Sequence, residues 1–285
     1  MSDHDRIEKD SLGEVRVAST ALWGAQTQRA VENFRIGRTA MPPELIQALG
    51  LIKWAAAETN GELGELPPPL AAAIAEAALE VASGRHADQF PLGVMQTGSG
   101  TSTNMNVNEV LAQLASQRLG TSVHPNDHVN RCQSSNDVIP TAIHLAASLA
   151  LRDVLLPALA ALAKAIGGKI REVGGQVKPG RTHLMDALPI TVGQEMRAWQ
   201  TQVEDSGARI ESVRPRLHQL ALGATAVGTG VNAHPGFAAK AIARIAGRTG
   251  LALSAAPDRF ASLASQDTAV ELSGQLRGAA VALLK

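Results

Sequence analysis

Apolar positions along this chain recur most regularly at helical spacing. Between Asn136 and Ile170 an apolar residue returns every three or four positions, through Ile139, Ile143, Ala146, Ala150, Val154, Ala158, Leu162, Ile166 and Ile170. Such spacing keeps one stripe of a 3.6-residue helix apolar. Leu145, Leu149, Leu155 and Leu159 fill the flanks, so the predicted helix is apolar over much of its circumference. A helix of that kind belongs in a bundle or an oligomer core. Pro140 falls in its first turns, where proline is tolerated, whereas Pro157 lies in mid-helix and predicts a kink. A second long pattern runs through Met196, Trp199, Val203, Ile210, Val213, Leu217 and Leu220, across Pro215. At 1.5 Å per residue the two predict antiparallel partners about 45–50 Å long.

Shorter patterns complete the outline. Leu45, Leu49, Ile52 and Ala56 predict a helix from Pro42 to Asn60, opened by proline and stopped by Gly61. An alanine-rich helix follows at Leu70–Ala82, before Gly84, then a helical pattern at Met105–Leu119, and a short helix lies near Gly236–Ala246 after the glycine loop 223–230. A last pattern, Leu272, Leu276, Ala279 and Leu283, still runs at Lys285 with no cap, so it reads as an element cut short. Residues 1 to about 40 have little periodicity and read as an extended arm. Polar sequence gives way to long helices near residue 132, which predicts an N-terminal domain over residues 1–132 and a central helical-bundle domain over 133–285, incomplete at its C-terminal end.

Composition narrows the class. Hydrophobic residues make up 45% and aromatics 2%, with no Tyr, so the apolar content is carried by Ala, Leu and Val and favours helix. Lys+Arg 26 against Asp+Glu 26 leaves no basic excess for nucleic acid or for a membrane surface. A single cysteine, Cys132, excludes an intramolecular disulfide framework and fits a reducing compartment. The start, MSDHDRIEKD, is too polar for a signal peptide, and no apolar run reaches membrane-spanning length. A soluble cytoplasmic protein with neither nucleic acid nor membrane as partner is expected.

Three polar stretches carry candidate chemistry: Thr97 to Asn104, His124 to Asp137, and Gly180-Arg181-Thr182-His183. Ser134, Ser135, Asn136 and Asp137 are N-cap residues at the start of the long helix. A helix N-terminus offers unpaired N–H groups and the positive end of a dipole, which suits a carboxylate or a phosphate; the same residues equally serve as a plain cap. Thr97-Gly98-Ser99-Gly100-Thr101 lacks the lysine of a phosphate loop and no strand pattern precedes it, which argues against a nucleotide. His124 and His128 lie four apart near Asp127 and Cys132 and invite a metal, but Pro125 works against a regular helix between the imidazoles. Neither metal nor cofactor is expected. His183 is either an exposed loop histidine or an acid/base group suited to neutral pH.

At these residues the chain resembles class II fumarase, in the fumarase/aspartase superfamily. The likeness is carried by Trp23-Gly24-Ala25-Gln26-Thr27-Gln28-Arg29, by Thr97-Gly98-Ser99-Gly100-Thr101 with Asn104-Met105-Asn106-Val107-Asn108-Glu109, and by His124-Pro125-Asn126-Asp127. Gln133-Ser134-Ser135-Asn136-Asp137, Gly180-Arg181-Thr182-His183 and Thr225-Ala226-Val227-Gly228-Thr229-Gly230 with Asn232 extend it from about Arg6 to Lys285. The resemblance implies an all-α, fumarase/aspartase-like fold and reversible, metal-free addition of water to fumarate, giving (S)-malate. The proton lost from malate is carbon-bound and barely acidic, so the site must supply donors that bind best as charge develops on the neighbouring carboxylate.

By similarity Ser99, Gly100, Thr101, Ser134, Ser135, Asn136 and Thr182 bind the substrate carboxylates, and His183 serves the acid/base step at the oxygen side through water. His124, Pro125, Asn126 and Asp127 match the family's second dicarboxylate site, although Thr121 and Ser122 stand where relatives often place a basic residue. The family's mobile loop, Gly-Ser-Ser-x-Met-Pro-x-Lys-x-Asn, supplies the carbon base and would lie beyond Lys285, so this chain alone is expected to be almost inactive. Relatives assemble each site from three subunits of a homotetramer. An ammonia-lyase acting on aspartate and a non-catalytic helical oligomerisation scaffold are the alternatives; Trp23-Gly24-Ala25-Gln26-Thr27 favours fumarase.

Overall fold

The computed structural model describes residues 5–37 and 39–284; Arg38, the first four residues and Lys285, the last position of the resemblance, lie outside them. The chain is mostly helical and divides into two compact units. The first comprises the described residues up to Ala146 together with His218–Gln266, and the second Ala147–Leu217 with the described part of 267–285.

In the first unit β1 (Asp5–Asp10) and β2 (Gly13–Ala18) form an antiparallel hairpin, followed by α1 (Ala25–Asn33). This replaces the expected arm. The strands alternate half-buried and exposed positions, a pattern too short to register, and α1 depends on a distant partner that local sequence cannot reveal. Helices α2 (Pro43–Glu62), α3 (Pro68–Ala82) and α4 (Thr101–Leu119) then build the core with α5 (Ser135–Ala150) and, from the returning segment, α9 (Phe237–Thr249). Leu49, Ile52, Ile74, Leu111, Leu145, Phe237 and Ile245 are fully buried there. The α2–α3 crossing is close because Gly50 has no side chain: a Cβ at that position would stand 2.6 Å from the Ala82 nitrogen. Two-residue strands β5 (Gln219–Leu220) and β6 (Ser254–Ala255) pair in parallel, and α10 (Arg259–Ala264) ends the unit. The boundary expected near residue 132 falls inside this unit, because α5 bonds to the returning segment: Asp137, in its first turn, accepts from the Gly223 and Thr225 N–H groups, and His144, farther along, has Nδ1 2.9 Å from the Gln219 carbonyl.

The second unit packs α6 (Leu156–Val173), α7 (Val192–Glu211) and α11 (Asp267–Leu283) around Leu159, Ala163, Val203, Ile210, Leu272 and Ala279, beside the single turn α8 (Arg214–Leu217). The second long pattern therefore stops earlier than expected. Its helix ends at Glu211, Pro215 sits in the separate turn α8, and Leu220 belongs to β5. An unexpected hairpin, β3 (Val177–Thr182) with β4 (Met185–Thr191), precedes α7; prolines 179 and 189 hid it as strand sequence. Thr191 and Gln194 form a reciprocal capping box that starts α7.

The long helix is continuous over Ser135–Val173. Ahead of Pro157 it opens into a wide π turn at Leu151–Leu155, and the proline falls in the first turn of α6, where its missing N–H costs little. This helix also corrects the membrane reading. Among the described residues it is the one helix long and apolar enough to cross a bilayer, with a window of mean hydropathy 1.7. Length and composition alone carry that statement, and a helix from an oligomer core passes the same test.

Candidate functional site

Two of the three polar stretches meet in the first unit. The loop before α4 turns on Gly100, whose φ of 71° is left-handed. A Cβ there would come within 3.0 Å of Ile139 Cγ2, so glycine lets the loop sit against α5. Gln96 closes the first turn of α4, its Oε1 accepting from the Thr103 N–H at 3.0 Å and its Nε2 donating to Thr103 Oγ1 at 2.7 Å. Thr101 is thereby held with its Oγ1 2.7 Å from Ser135 Oγ, the first residue of α5. Buried Asn104, one turn along α4, donates from Nδ2 to Ser135 Oγ at 2.9 Å and to Asn130 Oδ1 at 3.4 Å.

The α5 side is fixed as firmly. Ser134 Oγ accepts from the Asn136 N–H at 3.2 Å and so caps the helix. Asp137 points inward: Oδ1 accepts from the Ser134 N–H, and Oδ2 from the N–H groups of Gly223 and Thr225, each at 2.9 Å. Burial pushes its carboxyl up to about 6 against those three donors. Behind the cluster lies Lys53, fully buried on α2, whose Nζ donates to Asn130 Oδ1 at 2.8 Å and to Gln133 Oε1 at 3.0 Å. Burial draws its amine down to about 7, opposed by the charge of Asp137. Two helix starts thus present paired hydroxyls with backbone N–H groups beneath them, an arrangement that accepts a carboxylate. Thr101, Ser134 and Ser135 are half-buried, while Ser99 and Asn136 are exposed.

Thr182 and His183 belong to the second unit. They close the β3–β4 hairpin, where His183 (φ 51°) and Leu184 (φ 62°) make a left-handed turn, and both Thr182 and His183 are exposed.

His124, Pro125, Asn126 and Asp127 open a single π turn, Pro125–Val129. Pro125 is compatible with it because the turn begins there. His124 Nδ1 accepts from the Asp127 N–H at 3.1 Å, and His128 Nδ1 accepts from the His124 N–H at 2.9 Å. Each imidazole therefore spends one nitrogen on the backbone, and among the described residues no group of three His, Cys, Asp or Glu side chains is placed to hold a metal. His124, Pro125 and Asn126 line a cavity of about 520 Å³ with Arg6, Lys9 and Gln113, whereas Asp127 lines a smaller one of about 250 Å³ with Asn130 and Asn232.

Sequence reasoning missed Lys53, Asn130 and the role of Asn104. One signal was available: Lys53 is the only charge in the run from Leu45 to Ala57, and a lone lysine inside an apolar helix face is seldom fully buried without a partner.

Comparison with known proteins follows the same lines. A model of the family described as Lyase matches residues 13–285. Class II fumarate hydratase of Xylella fastidiosa (strain 9a5c) is 54% identical over 284 residues, covering 100% of this chain and 60% of that protein. The Thermus thermophilus class II fumarate hydratase is 52% identical over 287 residues, covering 98% and 62%. The crystal structure of recombinant class II fumarase from Schistosoma mansoni superposes with a TM-score of 0.95 at 39% identity, covering 98% of this chain and 63% of that one. The chain thus spans about 60% of the length of the curated relatives it matches.

Proposed function

The chain belongs to the lyase family whose model its residues 13–285 match, and from that premise we propose that it carries out the chemistry of a class II fumarate hydratase, reversible addition of water to fumarate giving (S)-malate. The observation that carries this reading is the Thr101–Ser135 hydroxyl pair, 2.7 Å apart at the starts of two helices. Together with Ser99, Gly100, Ser134 and Asn136 it is suited to hold one substrate carboxylate in charge-assisted hydrogen bonds. In this proposal Thr182 binds the second carboxylate region and His183 exchanges a proton with water at the hydroxyl carbon. His124, Pro125, Asn126 and Asp127 form a second dicarboxylate site, and its cation comes from Lys9, which lines the cavity of the first three.

Assembly as a homotetramer in the cytoplasm belongs to the same proposal. It is supported by the apolar helix Ser135–Val173, only 22% of whose apolar window is buried inside the chain, and by exposed Val154, Leu162 and Leu276. The free, buried thiol of Cys132 agrees with a reducing compartment.

The test is fumarate hydration, followed as loss of ultraviolet absorbance, in this chain and in this chain joined to the C-terminal part of the Xylella fastidiosa relative. Hydration by the joined protein supports the reading. Fumarate released from aspartate but not from malate replaces it with an ammonia-lyase, and activity on neither substrate replaces it with a scaffold.

A further inference from the structure

We propose that Lys53 is a positioning residue of the dicarboxylate site: through Asn130 and Asn104 its buried ammonium fixes the Ser135 and Thr101 hydroxyls as donors toward the ligand. The inference deepens the hydratase reading and rests on it. Protonated, below about pH 7, Lys53 Nζ has N–H groups only and accepts nothing. Asn130 and Gln133 must therefore turn their oxygens to Lys53 Nζ, at 2.8 and 3.0 Å. The Gln133 amide nitrogen then falls where it donates to the carbonyls of Val129 and Arg131, at 3.1 and 3.0 Å, so the orientation is satisfied on both sides.

The polarity passes onward. With Asn130 Oδ1 fixed as an acceptor, Asn104 must present Nδ2 to it, and that same nitrogen donates to Ser135 Oγ. A reversed Asn104 would set two carbonyl oxygens against each other. Its own Oδ1 is buried without a partner, so only the nitrogen side holds the amide in place. Ser135 Oγ is consequently an acceptor within the protein. Of the two protons on Ser135 and Thr101, one is used in the 2.7 Å bond between them and the other is left to donate outward. The relay ends in a hydroxyl proton aimed at an anion, which a chain of amides and hydroxyls without a donor-only root would not guarantee.

Fumarate hydration by the joined protein below pH 7, where Lys53 is charged, with and without Lys53→Met, tests this. Methionine approximates the volume and removes the donor. A rise in KM of roughly tenfold, the size of one charge-assisted hydrogen bond, with kcat little changed supports the proposal. A lower kcat at unchanged KM means fewer folded sites, a merely structural lysine, and overturns it. Equal kinetics overturn it too, and because the parent is active they leave the hydratase reading standing; an inactive parent removes both. Should Lys53→Met fail to fold, Asn104→Asp, which turns the same relay from donor to acceptor, must raise KM in the same way, and an unchanged KM there overturns the proposal.

Discussion

Asp137 gathers three backbone N–H groups onto one buried carboxylate, and it does so from both sides of a helix start. An amide cannot replace it. In Asp137→Asn the NH₂ must face either Ser134 or the Gly223 and Thr225 N–H groups, leaving buried donors opposed; a loss of about 1–3 kcal/mol is expected, read by urea denaturation. Lys53 governs a pH dependence of opposite sign. Folded, it releases its proton near 7 and not at its ordinary 10.5, so between those values the unfolded chain binds more protons and stability rises with pH. Asp137, raised to about 6 from 3.8, contributes stability that falls as pH climbs through that lower window. Denaturation midpoints measured across pH 7–10 are expected to climb in the parent and to stay flatter in Lys53→Met. His183→Asn in the joined protein is expected to lower turnover by about 10²-fold or more while leaving the oligomeric mass unchanged; parent-level turnover would remove His183 from the mechanism. At this scale the sequence placed Thr101, Ser134, Ser135 and Asn136 at helix starts, because hydroxyl and amide residues are the ones that cap there. It left Lys53 unread, since its partners Asn130 and Gln133 stand far away in the chain and only the fold unites them.

Among the elements, α1 shows how a short helix is held by a distant side chain. Gly24 supplies no capping atom, and the carboxylate of buried Glu109 on α4 accepts instead from the N–H groups of Gly24, Gln26 and Thr27, at 2.9, 2.8 and 3.1 Å. The negative charge also faces the positive end of the helix dipole. Glu109→Ala is expected to cost about 1–2 kcal/mol and to speed amide exchange at Gln26 and Thr27, with exchange in α9 changed only by the global loss. Long periodic elements were legible for the matching reason: α2, α3, α4, α9 and α11 each satisfy most of their backbone internally and announce their buried face by spacing alone. The hairpins and α1 were not, because their stability resides in contacts across the chain. The end of α7 escaped for another cause, as Val213, Leu217 and Leu220 keep a helical rhythm while the backbone has already left the helix.

For the molecule as a whole, the exposed apolar positions of the second unit are where association is expected. Val154→Glu, at a residue 67% exposed in the π turn, should lower the mass measured by light scattering without altering helix content by circular dichroism. The mostly helical class and the long helix over 135–173 were legible from composition and period, and only the membrane-scale hydropathy of that helix was missed, because charges at Arg152 and Asp153 and the proline at 157 interrupt the apolar run while leaving its mean high. The discontinuous course of the first unit carries a consequence for synthesis. The carboxylate of Asp137 emerges from the ribosome well before the amides of Gly223 and Thr225 that it binds, with the roughly seventy residues of 147–217 in between. At about 5–20 residues per second that interval lasts on the order of ten seconds. During it the nascent first unit is an unfinished shell whose keystone acid still sits in water, and slow or paused translation over 147–217 lengthens that exposure.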